Sequence, residues 1–342
     1  MSEYKIIKVV LIIPGNKDDY LTSDIVEGLL EYENENKIQI YAYVSQLGNG
    51  IQHKHIINEK SLYKYINCID LVFVFCQNPH FPSSPDTLEG SYLEILDKLA
   101  KHCDNFWNKT SYIDGTEYNW SSKTQYVPRG TIPRIEPFNF NYLKNKCKYY
   151  FKRECYQQDI DEGFIPLPFA YSLNRRYLKH LKDIPKEIDV FCSFPQIGTG
   201  LRIECIYVCR TIKSINVDLS NDLSYEDYCK TIKKSYISLD AWGGGQVNAR
   251  PWEIIANGSV LFRQKYSVVI PNDFIVSDGK ENKDTEMIVE FSSPEELYEK
   301  LSSYLNDKNH LLEMSKRSTE HLLKYHTCRA RVNYMFGKMG II

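Results

Sequence analysis

The sequence predicts an α/β fold of two doubly wound domains, and three observations carry that expectation. Ile6 to Ile13 is a nearly continuous β-branched run, as in a parallel strand covered on both faces. Strand-like and helical patterns then alternate, which favours an open parallel sheet. The alternation restarts at Asp189, and 342 residues suffice for two cores. The expected architecture is two Rossmann-like domains facing each other across a cleft.

In the first domain, PGNKDD (14–19) is the loop after the first strand, and Ser23-Asp24 can cap a helix through Leu30. Ile38 to Val44 makes a second strand, Lys60 to Ile66 a helix, and Leu71 to Phe75 a third strand. The proline-broken PHFPSSPD (79–86) precedes a helix from Leu88 to His102. His53-Lys-His55 reads as a solvated loop rather than a metal site, since further ligands are not identifiable. Thr110 to Ile113 is a short strand ending in Asp114-Gly-Thr-Glu117. A carboxylate at the carboxyl end of a parallel strand faces the crevice and can take a proton from an attacking hydroxyl. Asp114 is therefore a candidate base, with Glu117 as its substitute. Asp-Gly is equally a common turn, and that reading stays open.

LKNKCKYYFKR (143–153) reads as a strand with flanking solvated lysines. Asp159-Ile-Asp161 has a metal-binding spacing but sits at the polar end of a helix, so no metal is assigned. The prolines and charge change of 165–187 mark an interdomain crossing. The expected domains are 1–175, 176–325, and a terminal helix, 326–342, returning to the first.

In the second domain, Asp189 to Ser193 is strand-like, PQIGTG (195–200) is a loop, and Leu201 to Ile212 is a helix. Arg202 stands at its start, where the dipole disfavours a cation unless an anion is nearby. Tyr225 to Lys234 is a helix feeding the strand Tyr236 to Leu239. Gly243, Gly244 and Gly245 follow, then a helix opened by Pro251 and stopped by Asn257-Gly258. Strand, glycine loop, helix and strand form one βαβ unit suited to a diphosphate. Gln246, Asn248 and Arg250 place donors beside the glycines, and arginine can bind a phosphate through two parallel bonds. Glu253 is placed to accept from ribose hydroxyls. The helices near 294–305 and 308–325 carry leucine at helical spacing and read as packing elements.

RPWEIIANGSVLF (250–262), EFSSPEELYEKLSSYLNDKNHLLEMSKRS (290–318) and KYHTCRARVNYMF (324–336) resemble the C-terminal domain of GT-B-type glycosyltransferases. They are closest to the spore-maturation CgeB-like group. KCKYYFKRECY, GFIPLPFAYS and EIDVFCSFPQIGTGLRIECI follow that group's order of segments, so the likeness spans roughly 110–337. It implies a nucleotide-sugar donor held mainly by the second domain, with Arg202 near the donor phosphates. Many retaining members of the wider set carry two glutamates eight positions apart at this loop. Here Glu253 matches the second, while the first position is Gly245, so the stereochemical course is left open.

Composition bounds the partners. Forty-two basic and 44 acidic side chains give a formal charge of −2, which gives no footing for nucleic acid or an anionic membrane as main partner. The N-terminal apolar run is short and charged at its start, so neither a signal peptide nor a transmembrane span is expected. The ten cysteines lack paired metal spacing, and Cys205 and Cys209 read as core. The expectation is a cytoplasmic glycosyltransferase, free or peripheral to the inner face of the membrane. It would use a nucleotide-diphosphate sugar such as a UDP sugar as co-substrate, with no cofactor and no metal, and a glycan, protein or lipid acceptor. A non-catalytic nucleotide- or glycan-binding protein is the alternative. An NAD(P)-dependent oxidoreductase is a weaker one, because Pro14-Gly15-Asn16 supplies no G-x-G-x-x-G.

Overall fold

The computed structural model describes residues 6–13, 20–44, 51–75, 89–115, 119–120, 125–126, 143–177, 181, 184–194, 201–243, 245–275 and 284–342. The chain divides into two units, Met1–Phe169 with Cys328–Ile342, and Ala170–Thr327.

Unit 1 opens with β1 (Ile7–Ile13), α1 (Tyr20–Asn34), β2 (Ile38–Val44), α2 (Glu59–Tyr65), β3 (Leu71–Phe75) and α3 (Glu89–His102). It continues with β4 (Thr110–Asp114), the two-residue strands β5 (Asn119–Trp120) and β6 (Gln125–Tyr126), β7 (Tyr149–Lys152), α4 (Gln157–Asp161) and β8 (Ile165–Pro166). The main sheet has the order β2-β1-β3-β4-β7-β8. Its pairs are parallel. The uninterrupted apolar run of β1 follows from its central place: Val9, Val10 and Leu11 are fully buried.

Two expectations are corrected in unit 1. Lys152 is not a solvated flank: it is 1% exposed and its Nζ meets Asp159 Oδ2 at 3.2 Å. Asp159 also accepts from the Tyr156 backbone at 2.8 Å, so this member of the acidic triplet caps α4. His55 is likewise buried, its Nε2 lying 2.6 Å from Glu33 Oε2 while Nδ1 accepts from the Gln52 amide. Among the described residues, no group of three or more His, Cys, Asp or Glu side chains could hold a metal ion.

Unit 2 contains β9 (Ile188–Phe191), α5 (Arg202–Thr211), β10 (Val217–Asp218), α6 (Tyr225–Lys234), β11 (Ser235–Asp240), α7 (Arg250–Ala256) and β12 (Val260–Gln264). β13 (Val289–Phe291), α8 (Pro294–Tyr304) and α9 (Lys308–Tyr325) complete it. The order β10-β9-β11-β12-β13 is parallel throughout. Cys205 and Cys209 join the apolar core, as their helical spacing predicts. Gly258 at φ 74° ends α7, a backbone state that favours glycine. With every strand parallel, the carboxyl ends of β9, β11 and β12 share one edge, and the glycine segment and Arg202 lie there.

The terminal helix α10 (Cys328–Lys338) belongs to unit 1 and packs on α1. Arg329 pairs with Glu35 at 2.8 Å, and Arg331 Nη2 donates to the Phe169 carbonyl at 2.9 Å. Both arginines thus fix this returning helix. Among the described residues, no helix is long and apolar enough to cross a membrane.

Candidate functional site

The site of unit 2 is assembled by two chain segments that Gln264 ties together. Gln264 ends β12, and its Oε1 accepts from the Leu201 amide at 3.1 Å and the Trp242 amide at 3.3 Å. The start of α5 and the segment after β11 are thereby held side by side. Arg202 then reaches across, its Nε donating to the Ala241 carbonyl at 3.3 Å. The guanidinium passes so close to Gly243 that a Cβ built there would lie 2.6 Å from Arg202 Nη2. That close approach gives the glycine a physical reason.

Arg250, the first residue of α7, comes to the same place. Its guanidinium carbon lies 5.1 Å from the Phe194 ring centroid, and that of Arg202 lies 5.6 Å from the same ring. Arg250 Nη1 donates to the Ser193 carbonyl, and Arg250 also lies 5.8 Å from the Tyr228 ring. Two guanidinium groups 48 positions apart in sequence therefore converge on one aromatic ring. Delocalised, weakly hydrated cations of this kind suit a phosphate anion.

The carboxylate among them was not anticipated. Asp240, the last residue of β11, is fully buried. It accepts from Asn248 Nδ2 at 3.1 Å and from the Tyr266 hydroxyl at 2.9 Å, and Arg250 Nε stands 4.0 Å away. Burial pushes its pKa up, against the opposing pull of Arg250, Asn248, Tyr266 and Arg202. Asn248 works in both directions, since its Oδ1 accepts from the Arg250 amide at 2.8 Å. Tyr266 in turn packs under Arg263, 4.4 Å from ring to guanidinium. Arg263 is held by Asp273 and Glu290 at 2.6 and 2.8 Å.

The remaining sequence candidates fall as follows. Gln246 is buried and its Oε1 accepts from the Ser267 amide at 2.6 Å, pinning the glycine segment to the stretch after β12. The Gly243 amide donates to the Gly245 carbonyl at 3.0 Å, and Gly244 lies outside the described residues. Glu253 is half-buried in α7. Its charge adds to burial in raising the pKa of the Tyr171 and Tyr225 hydroxyls, and Tyr228 feels Glu253, Arg250 and Asp240 together. In unit 1, Asp114 is buried at the end of β4 and accepts from the Tyr150 hydroxyl at 3.0 Å. Glu117 lies outside the described residues, as do Gly198 and Gly200.

Sequence reading missed Phe194, Asp240, Gln264, Tyr228 and Tyr266. Asp240 alone carried a usable signal: it ends an apolar strand, the same logic that singled out Asp114.

Solved structures of similar architecture span nearly the whole chain. One is an alpha-glucosyltransferase in complex with UDP-glucose and DNA (9% identity, 97% of this chain and 99% of that one, TM-score 0.55). Another is a glycosyltransferase from Rickettsia africae ESF-5 (9%, 98% of each chain, 0.55). A third is Anabaena HepE in complex with UDP and glucose (8%, 98% and 100%, 0.53). No curated protein sequence matches. The fold is thus GT-B. Residues 175–337 match the family model described as glycosyl transferase-like. The family likeness thus covers most of unit 2 and of α10, and the likeness of the whole chain is one of fold.

Proposed function

We propose that this enzyme transfers a sugar from a nucleotide-diphosphate donor, a UDP sugar first among candidates, to a hydroxyl of a glycan, protein or lipid. One observation carries the reading: Arg202 and Arg250 converge at the carboxyl edge of the unit 2 sheet. The neighbours with bound UDP support the choice of nucleotide. The order of segments supports a place close to the CgeB-like group. The nine described cysteines are all free, which suits a reducing, cytoplasmic setting.

In this scheme the acceptor oxygen attacks the anomeric carbon while its bond to the diphosphate oxygen breaks. The two guanidiniums meet the charge that develops on the leaving diphosphate. Glu253 holds the ribose, and the Gly243–Gly245 segment leaves room for the phosphates. The hydroxyl proton passes to a carboxylate, with Asp114 or Glu117 proposed as base. Charge stabilisation comes from arginine, so turnover is expected to survive a chelator.

The test is a transfer and hydrolysis assay over a panel of UDP, GDP and TDP sugars, with and without EDTA. Turnover of one donor supports the reading; binding without turnover of any donor would favour the binding-protein alternative. Gly243→Ala is expected to lower donor affinity by about tenfold, because the new methyl displaces a charge-assisted donor. Stability should change by less than about 1 kcal/mol, since the obstructing atom ends a flexible side chain. Donor titration and a thermal melt check the two halves separately.

A further inference from the structure

Asp240 is a buried carboxylate placed inside a site read as receiving an anion. The groups facing it come from several elements of unit 2. Arg202 and Cys205 lie on α5, Tyr228 on α6, Asn248 and Arg250 precede or open α7, and Tyr266 follows β12. In the free protein this carboxylate is the counter-charge of the two guanidiniums. A diphosphate arriving at the same guanidiniums adds a second anion in a region of low dielectric, where like charges repel strongly. A guanidinium group does not give up its proton in the neutral pH range. Tyr228, Tyr266 and Cys205 are held neutral by burial, which pushes each pKa upward. Of the two carboxylates near the site, Asp240 is the fully buried one and stands against Arg250, so it is the one placed to relieve the repulsion by changing its charge; Glu253 is half-buried further along α7.

We propose that Asp240 takes up a proton from solvent when a nucleotide-diphosphate sugar binds, so that donor affinity is linked to pH through this one carboxyl. The inference rests on the reading of Arg202 and Arg250 as a diphosphate site. Burial already lifts the carboxyl's pKa while four neighbours oppose the rise, and a bound anion shifts that balance further upward. The sign follows. Below the free-protein pKa, Asp240 is protonated with or without ligand, and affinity is highest. Between the free and bound values, binding takes up a proton and affinity falls by up to about tenfold per pH unit. Above both, affinity settles at a lower plateau.

The experiment is titration calorimetry with UDP-glucose and with GDP-mannose, whose diesterified diphosphates do not titrate near neutrality. Each is run in two buffers of different ionisation enthalpy, from about pH 5 to about pH 8. Expected is an uptake approaching one proton within the window. Asp240→Asn keeps the hydrogen-bonded shape and should abolish the uptake and flatten affinity against pH. Tyr266→Phe removes a donor to the charged carboxylate, so its window should move to higher pH. Should Asp240→Asn not fold, Tyr266→Phe still decides, because an unmoved window overturns the proposal. Heat independent of buffer at every pH overturns it too, while leaving the diphosphate site standing. Failure of both sugar nucleotides to bind overturns the site reading, and this proposal with it.

Discussion

Arg250→Ala is expected to lower kcat/KM for the donor by about 100-fold, the scale of losing one charge-assisted donor to a leaving group. Arg250 has three attachments that alanine removes together: the Ser193 carbonyl, the Asp240 carboxylate at 4.0 Å, and the faces of Phe194 and Tyr228. Removing one partner of a buried pair leaves the other uncompensated, at about 3 kcal/mol or more before relaxation. Part of that loss is recovered here, because Asp240 can neutralise by protonation. A stability loss nearer about 1–2 kcal/mol is therefore expected. Arg250→Lys should recover stability better than turnover, since an ammonium lacks the planar fork. The double variant Arg250→Ala with Asp240→Asn separates the two effects: it should regain stability and stay about as inactive. Steady-state kinetics beside chemical denaturation would show this. Activity of Arg250→Ala within about threefold of the parent would remove the arginine from the proposed site.

The contrast between what could and could not be read beforehand has a physical basis. β1 and β3 were legible because a strand buried on both faces needs an unbroken apolar run, and few other structures do. Arg202 and Arg250 were each legible beside glycines, but their meeting at Phe194 was not. That ring lies 8 positions before one and 56 before the other, and the parallel strand order brings all three together. Gln264 and Tyr266 were silent for the same reason: polar residues after a strand look like loop. Lys152 was misread because a lysine in a basic run normally sits in water, and its partner Asp159 is supplied by a short helix further along. Local patterns report which faces are apolar; they do not report which buried charge has found a partner.

Gly28→Ala is expected to destabilise unit 1 by about 2–3 kcal/mol, the second large effect. Gly28 lies where α1 meets α10, and a Cβ there would stand 2.7 Å from Val332 Cγ2 and 2.8 Å from the Cys328 carbonyl carbon, with the Cys328 oxygen closer still. The obstruction is backbone, so relief requires the helices to part. α10 resists such movement through Arg331 on the Phe169 carbonyl, Arg329 on Glu35 and the face of Tyr32, and Val332 in the core. Overpacking of this sort costs about 1–3 kcal/mol and more where backbone is involved. The better helix propensity of alanine returns up to about 1 kcal/mol. Gly337→Ala is the matched control: it lies in α10 as well, and nothing stands within 4 Å of its Cβ. That variant should be neutral or more stable by up to about 1 kcal/mol. Amide exchange resolved to α1 and α10, rather than one global melt, is the suitable measurement for a chain of two units. Equal protection in the two variants would mean that the close approach of these helices is not what Gly28 is there to permit.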